Sequence, residues 1–178
     1  LVQRIDYRKG PYFASNGDFA SAGSADIAYL RQFDAPFGQV TLGSGRYRRG
    51  VVGASYALQP GITLLGAVEL QRTDGPWTVP ERLHKDNAVF TLSGGTAAQG
   101  FSASAMAYRA RWTATDQVPQ RLIDAATFDG QPFGRFDSLD PSTGGDTTRS
   151  SLSAEWHARG ESGRTRVSAY AIRYRLDL

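Results

Sequence analysis

Between Thr148 and Leu178 the chain alternates in twos on either side of one turn. In the first arm Leu152, Ala154, Trp156 and Ala158 fall on one face, and Ser151, Ser153, Glu155 and His157 on the other. In the second arm Tyr170, Ile172, Tyr174 and Leu176 alternate with Ala169, Ala171, Arg173, Arg175 and Asp177. Successive side chains leave a strand on opposite sides, so this period predicts a strand pair. Aliphatic and aromatic groups are expected on one face, and small or charged groups on the reverse. A membrane barrel needs that division, and a soluble sandwich shares it locally.

The same period runs through the rest of the chain. Arg4 to Lys9 and Ser24 to Leu30 read as short strands around a loop rich in Gly, Ser, Asn and Asp. Gln39 to Arg46 and Val51 to Leu58 follow, with Val40, Leu42, Val52, Ala54, Tyr56 and Leu58 on the apolar side. Ile62 to Arg72 sets Leu64, Gly66, Val68 and Leu70 against Thr63, Leu65, Ala67, Glu69 and Gln71. Asn87 to Gly94 places Ala88, Phe90 and Leu92 on its apolar side. Phe101 to Trp112 sets Met106, Tyr108, Ala110 and Trp112 against Ala105, Ala107, Arg109 and Arg111. On this reading Glu69, Arg109, Arg111, Glu155, Arg173, Arg175 and Asp177 share a polar interior.

The connections alternate as well. Short turns at Gln59, Thr96 and Arg159 are interleaved with a polar connection from Thr73 to Asp86 and a long, structureless excursion from Thr113 to Thr147. Barrels of the bacterial outer membrane keep short turns at one end and long loops at the other. Several strands also exceed the ~5 to 6 residues common in soluble proteins and reach the ~9 to 11 that cross a bilayer at a tilt. The expected fold is therefore all-β, a partial antiparallel transmembrane barrel of about seven strands. Trp112 and Tyr174, near strand ends, are expected in an interfacial aromatic girdle. Ile172→Arg is expected to cost roughly 2 to 4 kcal/mol if that face meets lipid.

Composition narrows the chemistry. The 178 residues include 20 Gly and no Cys, which excludes disulfides and thiolate metal sites. The formal charge of +3 comes from scattered Arg, without the basic block that nucleic-acid binding uses. Gly43-Ser44-Gly45 lacks the third glycine and the helix of a dinucleotide site, and reads as backbone freedom in a strand. His84 and His157 lie in different segments, so no metal pair is expected. Asp129, Asp137, Asp140 and Asp146 share a loop but not the spacing of a calcium loop, and read as solvated carboxylates. No catalytic set can be named and no cofactor is expected, so an enzyme is the least favoured class.

Several segments carry a resemblance. IDYRKGP, then NGD, then AG followed by SADI resembles the end of the plug domain of TonB-dependent outer-membrane receptors. GAVELQRTDGPW, AYRARWTATDQVPQR and DPSTGGDTTRSSLSAEW follow in that family's order, so the likeness covers most of the chain. It implies that residues 1–33 end a plug and that 34–178 are the first barrel strands. A TonB box and the remaining plug and strands are then expected elsewhere in a longer protein. The family resemblance further implies the outer membrane of a Gram-negative bacterium, contact with its lipid, and TonB-coupled uptake of a scarce nutrient such as a ferric siderophore, cobalamin or a glycan.

Under that resemblance, ligand contact is expected at Tyr12, Phe13 and Asn16 in the plug loop and at Trp77, Arg82 and His84 in the first long outer loop. Arg8 or Lys9 is expected to pair with Glu69 or Glu155, tying plug to wall. Pairing between neighbouring strands, Glu155 with Arg173 for example, is the competing expectation. A passive porin-like or adhesin barrel and a soluble β-sandwich binding module remain alternatives.

Overall fold

The computed structural model describes residues 1–10, 12, 21–113, 117–161 and 163–178, and the alternating stretches all become strands. β1 (Val2–Lys9) and β2 (Gly23–Tyr29) pair antiparallel as a separate two-stranded sheet. β3 (Phe37–Leu42), β4 (Arg48–Gln59), β5 (Ile62–Thr73), β6 (Leu83–Gly95) and β7 (Gln99–Thr113) then run up and down in chain order. After β7 come a helix, α1 (Gln120–Ala125), and a small hairpin of β8 (Thr127–Phe128) and β9 (Gln131–Pro132). β10 (Gly144–Gly160) and β11 (Gly163–Asp177) complete a seven-stranded antiparallel sheet. The sheet is open: β3 and β11 are its two edges, so no barrel closes within this chain.

Directly opposed residues of an antiparallel ladder share a face, so the register sorts every side chain. Face A carries Val40, Val52, Tyr56, Leu70, Phe90, Leu152, Trp156 and Val167. All are exposed, Val40 at 77% and Leu152 at 63%. Face B carries the buried residues of the sheet: Leu65, Ala67, Val89, Thr91, Ser93, Ala110, Thr147 and His157. Face A thus exposes a broad apolar surface, while the residues buried in the sheet, Leu65 and Val89 among small and polar groups, all lie on face B.

Face A has a charged border. One continuous register row joins Arg48, Arg72, His84, Arg111, Asp146 and Asp177 across β4, β5, β6, β7, β10 and β11. The next row inward is charged only from β6 onward, at Asp86, Arg109 and Arg175. The third is charged only on β11, at Arg173. The polar boundary therefore crosses the rows obliquely. It shifts by about 13 Å along the strands over about 24 Å across them, a slope of roughly 30° at normal strand spacings. At the other end of face A, Tyr56, Phe101 and Trp156 stand near the short turns.

The register corrects the expected facing of two strands. Leu152 is opposite Ala171, and Ser151 opposite Ile172. Tyr170, Ile172, Tyr174 and Leu176 therefore share face B with Ser151 and Glu155, while Arg173, Arg175 and Asp177 share face A with Leu152. On β7 likewise, Met106, Tyr108, Ala110 and Trp112 lie on face B, and Arg109 and Arg111 on face A. These arginines belong to the border and not to an interior, because β7 and β11 run past the apolar band into it. The girdle expected at Trp112 and Tyr174 is on the wrong face; the aromatics of face A near strand ends are Tyr56, Phe101 and Trp156.

The connections differ in detail. Gly43-Ser44-Gly45 is a turn and not part of a strand, with Gly45 and Arg46 at φ of 61° and 54°. A Cβ at Gly45 would meet the Gly75 carbonyl oxygen at 2.6 Å, so this turn touches the next loop. His84 belongs to β6, since the connection after β5 spans only 74–82. The excursion after β7 is not structureless: Asp129 and Gly130, with φ of 48° and 73°, turn the β8–β9 hairpin. The long connections nevertheless gather at one end of the sheet and the short links after β4, β6 and β10 at the other, as the alternation predicts.

Leu65 is 1% exposed on face B, whereas Val40 stands free on face A. Leu65→Ala is expected to lower stability by about 2 to 4 kcal/mol through loss of buried contact. Val40→Ala is expected to change it by under about 1 kcal/mol. Urea titration of the two variants against the parent checks the division.

Candidate functional site

Face B and the loop end each gather polar groups. On face B, β4, β5 and β6 bring Arg49, Glu69, Lys85 and Asn87 together. Arg49 Nε donates to the Glu69 carboxylate at 2.7 Å, Lys85 Nζ lies 3.2 Å from it, and Asn87 Nδ2 donates at 3.2 Å. Both carboxylate oxygens of this half-buried acid are thereby engaged. The cluster borders a hollow of about 850 Å³. Val51, Val89, Met106, Tyr108, Arg149 and Tyr174 line its wall, and Leu1 and Tyr29 reach it from the open end of the β1–β2 hairpin. Its lining mixes apolar, aromatic and charged groups, a surface suited to holding another protein segment or an amphiphilic solute.

At the loop end the connections hold one another. Asp74 N–H donates to the Gly45 carbonyl at 2.7 Å, and Arg46 lies 3.2 Å from the Asp74 carboxylate. Thr78 N–H donates to the Phe136 carbonyl at 2.9 Å, and Trp77 meets Phe136 edge-on with centroids 6.1 Å apart. Phe133 is buried against Phe128 at 5.5 Å. The Thr78 hydroxyl and the Gly134 N–H hold the Asp137 carboxyl below its ordinary range. The Ser142 hydroxyl and N–H do the same for Asp140. Asp137 and Asp140 thus act as local loop caps. Glu81, in the same cap, is pushed upward by burial.

Of the expected ligand residues, Tyr12, Trp77, Arg82 and His84 are described, and only Arg82 and His84 line one hollow together. Phe13 and Asn16 lie outside the described residues, and Tyr12 is exposed at 81%. Trp77 is committed to Phe136. Arg82 and His84 line a different hollow, at the charged border of face A, together with Arg111, Asp146 and Asp177. Of the expected plug-to-wall acids, Glu69 takes Arg49 and Lys85, and Glu155 has Arg166 at 3.7 Å. All three pairings join neighbouring strands, with Arg166 in the place expected of Arg173, which lies on face A. Arg8 and Lys9 lie near the end of β1, opposite Ser24 and Gly23. Sequence reasoning passed over Arg49, Lys85 and Asn87, although all three share the parity of Glu69 across adjacent strands.

Compared with known proteins, the chain matches no family model, no curated protein and no solved structure.

The loop carboxyls carry opposite pH signs. For Asp137 and Asp140, lowered in the fold, the stabilising contribution is present above the ordinary aspartate range and is lost as pH falls through the lowered values. For Glu81, raised in the fold, it is present in acid and lost as pH rises through the raised value. Amide exchange at Gly134 and Ser142, corrected for intrinsic rate, is expected to lose protection only on the acid side. Asp137→Asn should remove that loss at Gly134 while leaving Ser142 unchanged.

Proposed function

We propose that this chain is part of the wall of an outer-membrane β-barrel of the TonB-dependent receptor kind, a conduit and not a catalyst. The observation that carries the reading is face A: a wide, exposed apolar sheet surface ending in an oblique line of charge. Strands of a transmembrane barrel are tilted by ~35 to 45°, so a level membrane boundary cuts their register rows at a comparable slope. The strands of 12 to 17 residues from β4 through β7, with β10 and β11, exceed what a tilted crossing needs. Segregation of long loops to one end and short links to the other supports the same orientation.

In this reading face B lines the lumen and the β1–β2 hairpin belongs to the stopper that fills it. The approach of Leu1 and Tyr29 to the face B hollow supports that placement. The cargo is a scarce nutrient of the ferric siderophore, cobalamin or glycan type, with TonB driving its release inward. Further strands must cover the free edges of β3 and β11, because an uncovered edge in hydrocarbon leaves backbone groups unsatisfied.

Facing is the testable core. With the full-length protein folded in bilayers, Leu152→Arg is expected to cost about 2 to 4 kcal/mol, the toll of a cation at mid-bilayer. Ser151→Arg and Ile172→Arg, directed at the lumen, are expected to cost far less. Denaturant titration in lipid vesicles measures all three. Equal costs, or a harmless Leu152→Arg in a protein that has inserted, would refute the wall.

A further inference from the structure

The charged border of face A holds a site that the uptake reading does not use. At the loop end of β6, β7, β10 and β11 lies a hollow of about 850 Å³ into which Arg82, His84 and Arg111 converge. Two acids line it as well, and both are already neutralised: Asp146 lies 3.5 Å from Arg109, and Asp177 2.7 Å from Arg175. Among the described residues none of Arg82, His84 and Arg111 has an ion pair. His84 and Arg111 are exposed and directly opposed across the β6–β7 ladder. The hollow therefore offers two guanidinium groups whose positive charge is not spent within the protein, with the His84 ring beside them.

What lies beneath the hollow decides the ligand. Two register rows further along the same four strands, about 13 Å away at normal strand rise, a groove of about 500 Å³ opens on face A. Ala88, Ala105, Ala107 and Ala171 line it together with the larger Phe90 and Leu152, and Arg173 stands at its end nearer the hollow. A cationic recess above an apolar groove fits a molecule with an anionic head and a hydrocarbon tail. The opposite rim of face A, by the short links, presents Tyr56, Phe101 and Trp156 and no Arg, Lys, Asp or Glu side chain among the described residues, the charges at that end, Arg159 and Arg164, standing on face B. Charge complementarity is thus confined to one leaflet.

We propose that this hollow binds the phosphate of a lipid headgroup, with Arg82, His84 and Arg111 as donors and the acyl chains lying over the alanine-lined groove. The inference rests on the wall reading, since it needs face A against lipid. Guanidinium groups suit the task because they present several fixed donors to phosphate oxygens. Arg82 and His84, expected in nutrient binding, serve lipid instead.

The test uses the full-length protein in detergent micelles, with phosphatidic acid and the matching diacylglycerol as probes and native mass spectrometry as the readout. Phosphatidic acid is expected to remain bound, and diacylglycerol, lacking the phosphate, to be lost. The triple variant Arg82→Gln, His84→Gln, Arg111→Gln is expected to bind phosphatidic acid at least about tenfold more weakly, the loss of one charge-assisted contact or more. Arg48→Gln, on the same border outside the hollow, is expected to bind as the parent does. Unchanged binding in a triple variant that still inserts into vesicles overturns the headgroup site alone. An equal loss in Arg48→Gln does so too, by pointing to diffuse attraction, as does inorganic phosphate binding as tightly as the lipid. A parent protein that stays in buffer without detergent overturns the wall and this site together.

Discussion

The cross-strand hydrogen-bond ladder is the constraint on which everything else rests. From β3 to β11 the ladders run almost unbroken, with one irregularity between Ala57 and Gln59. A continuous ladder satisfies the backbone within the sheet and frees one whole face from any need for water. It also locks parity: a one-residue slip would exchange every face A side chain for its face B neighbour. Leu152 stands exposed on face A and Glu69 meets Arg49 only while that register holds.

The two faces are stabilised by different physics. On face B the polar groups satisfy one another at close range, Glu69 with three donors and the Thr91 and Ser104 hydroxyls with each other at 2.9 Å. Face A has only cross-strand neighbours to cover it, and in water its apolar area would be a standing cost. Its stability must come from the medium or from a partner layer. No second sheet or helix lies over it among the described residues, since the β1–β2 hairpin reaches the face B hollow and α1 belongs to the loop end. A chain built this way needs an apolar medium or a partner layer against one side.

Much of this was legible in the sequence, and the failures have a common cause. Alternation located all seven wall strands, and Gly, Pro and polar clusters located the turns. What alternation cannot supply is which of its two sets faces out. On β10 the strand middle settles it, because Leu152 stands between Ser151 and Ser153, and on β4, β5 and β6 the larger apolar groups Tyr56, Leu64 and Leu70, and Phe90 and Leu92 share one parity. On β7 the middle is alanine against serine, so the parity was taken from Arg109 and Arg111 at one end. On β11 it was taken from Arg173, Arg175 and Asp177, with the same inversion. The β8–β9 hairpin had a usable signal in Asp129-Gly130, a pair that favours a tight turn. The partners of Glu69 needed cross-strand register, which no single strand encodes.

That inversion is itself an argument about the medium. Charge at a strand end marks the interior only if strands stand upright and the apolar zone spans their whole length. If the strands lean, the boundary cuts the rows obliquely, and late strands push outward-facing charge deeper along their length than early ones do. The border broadens in that direction, though not on every strand: one ionisable position on β4 and on β5, two on β6 and on β7, one on β10 and three on β11. A soluble sandwich would cover face A with a second sheet whose own twist sets the contact, and nothing there requires a straight slanted edge of Arg and Asp. A flat bilayer does, because its surface is level whatever the tilt of the strands that cross it. The ion pairs along the border, Arg72 with Asp86, Arg109 with Asp146 and Arg175 with Asp177, then have a physical reason. On the proposed membrane reading they would hold the outward charges together at the depth where water gives way to hydrocarbon.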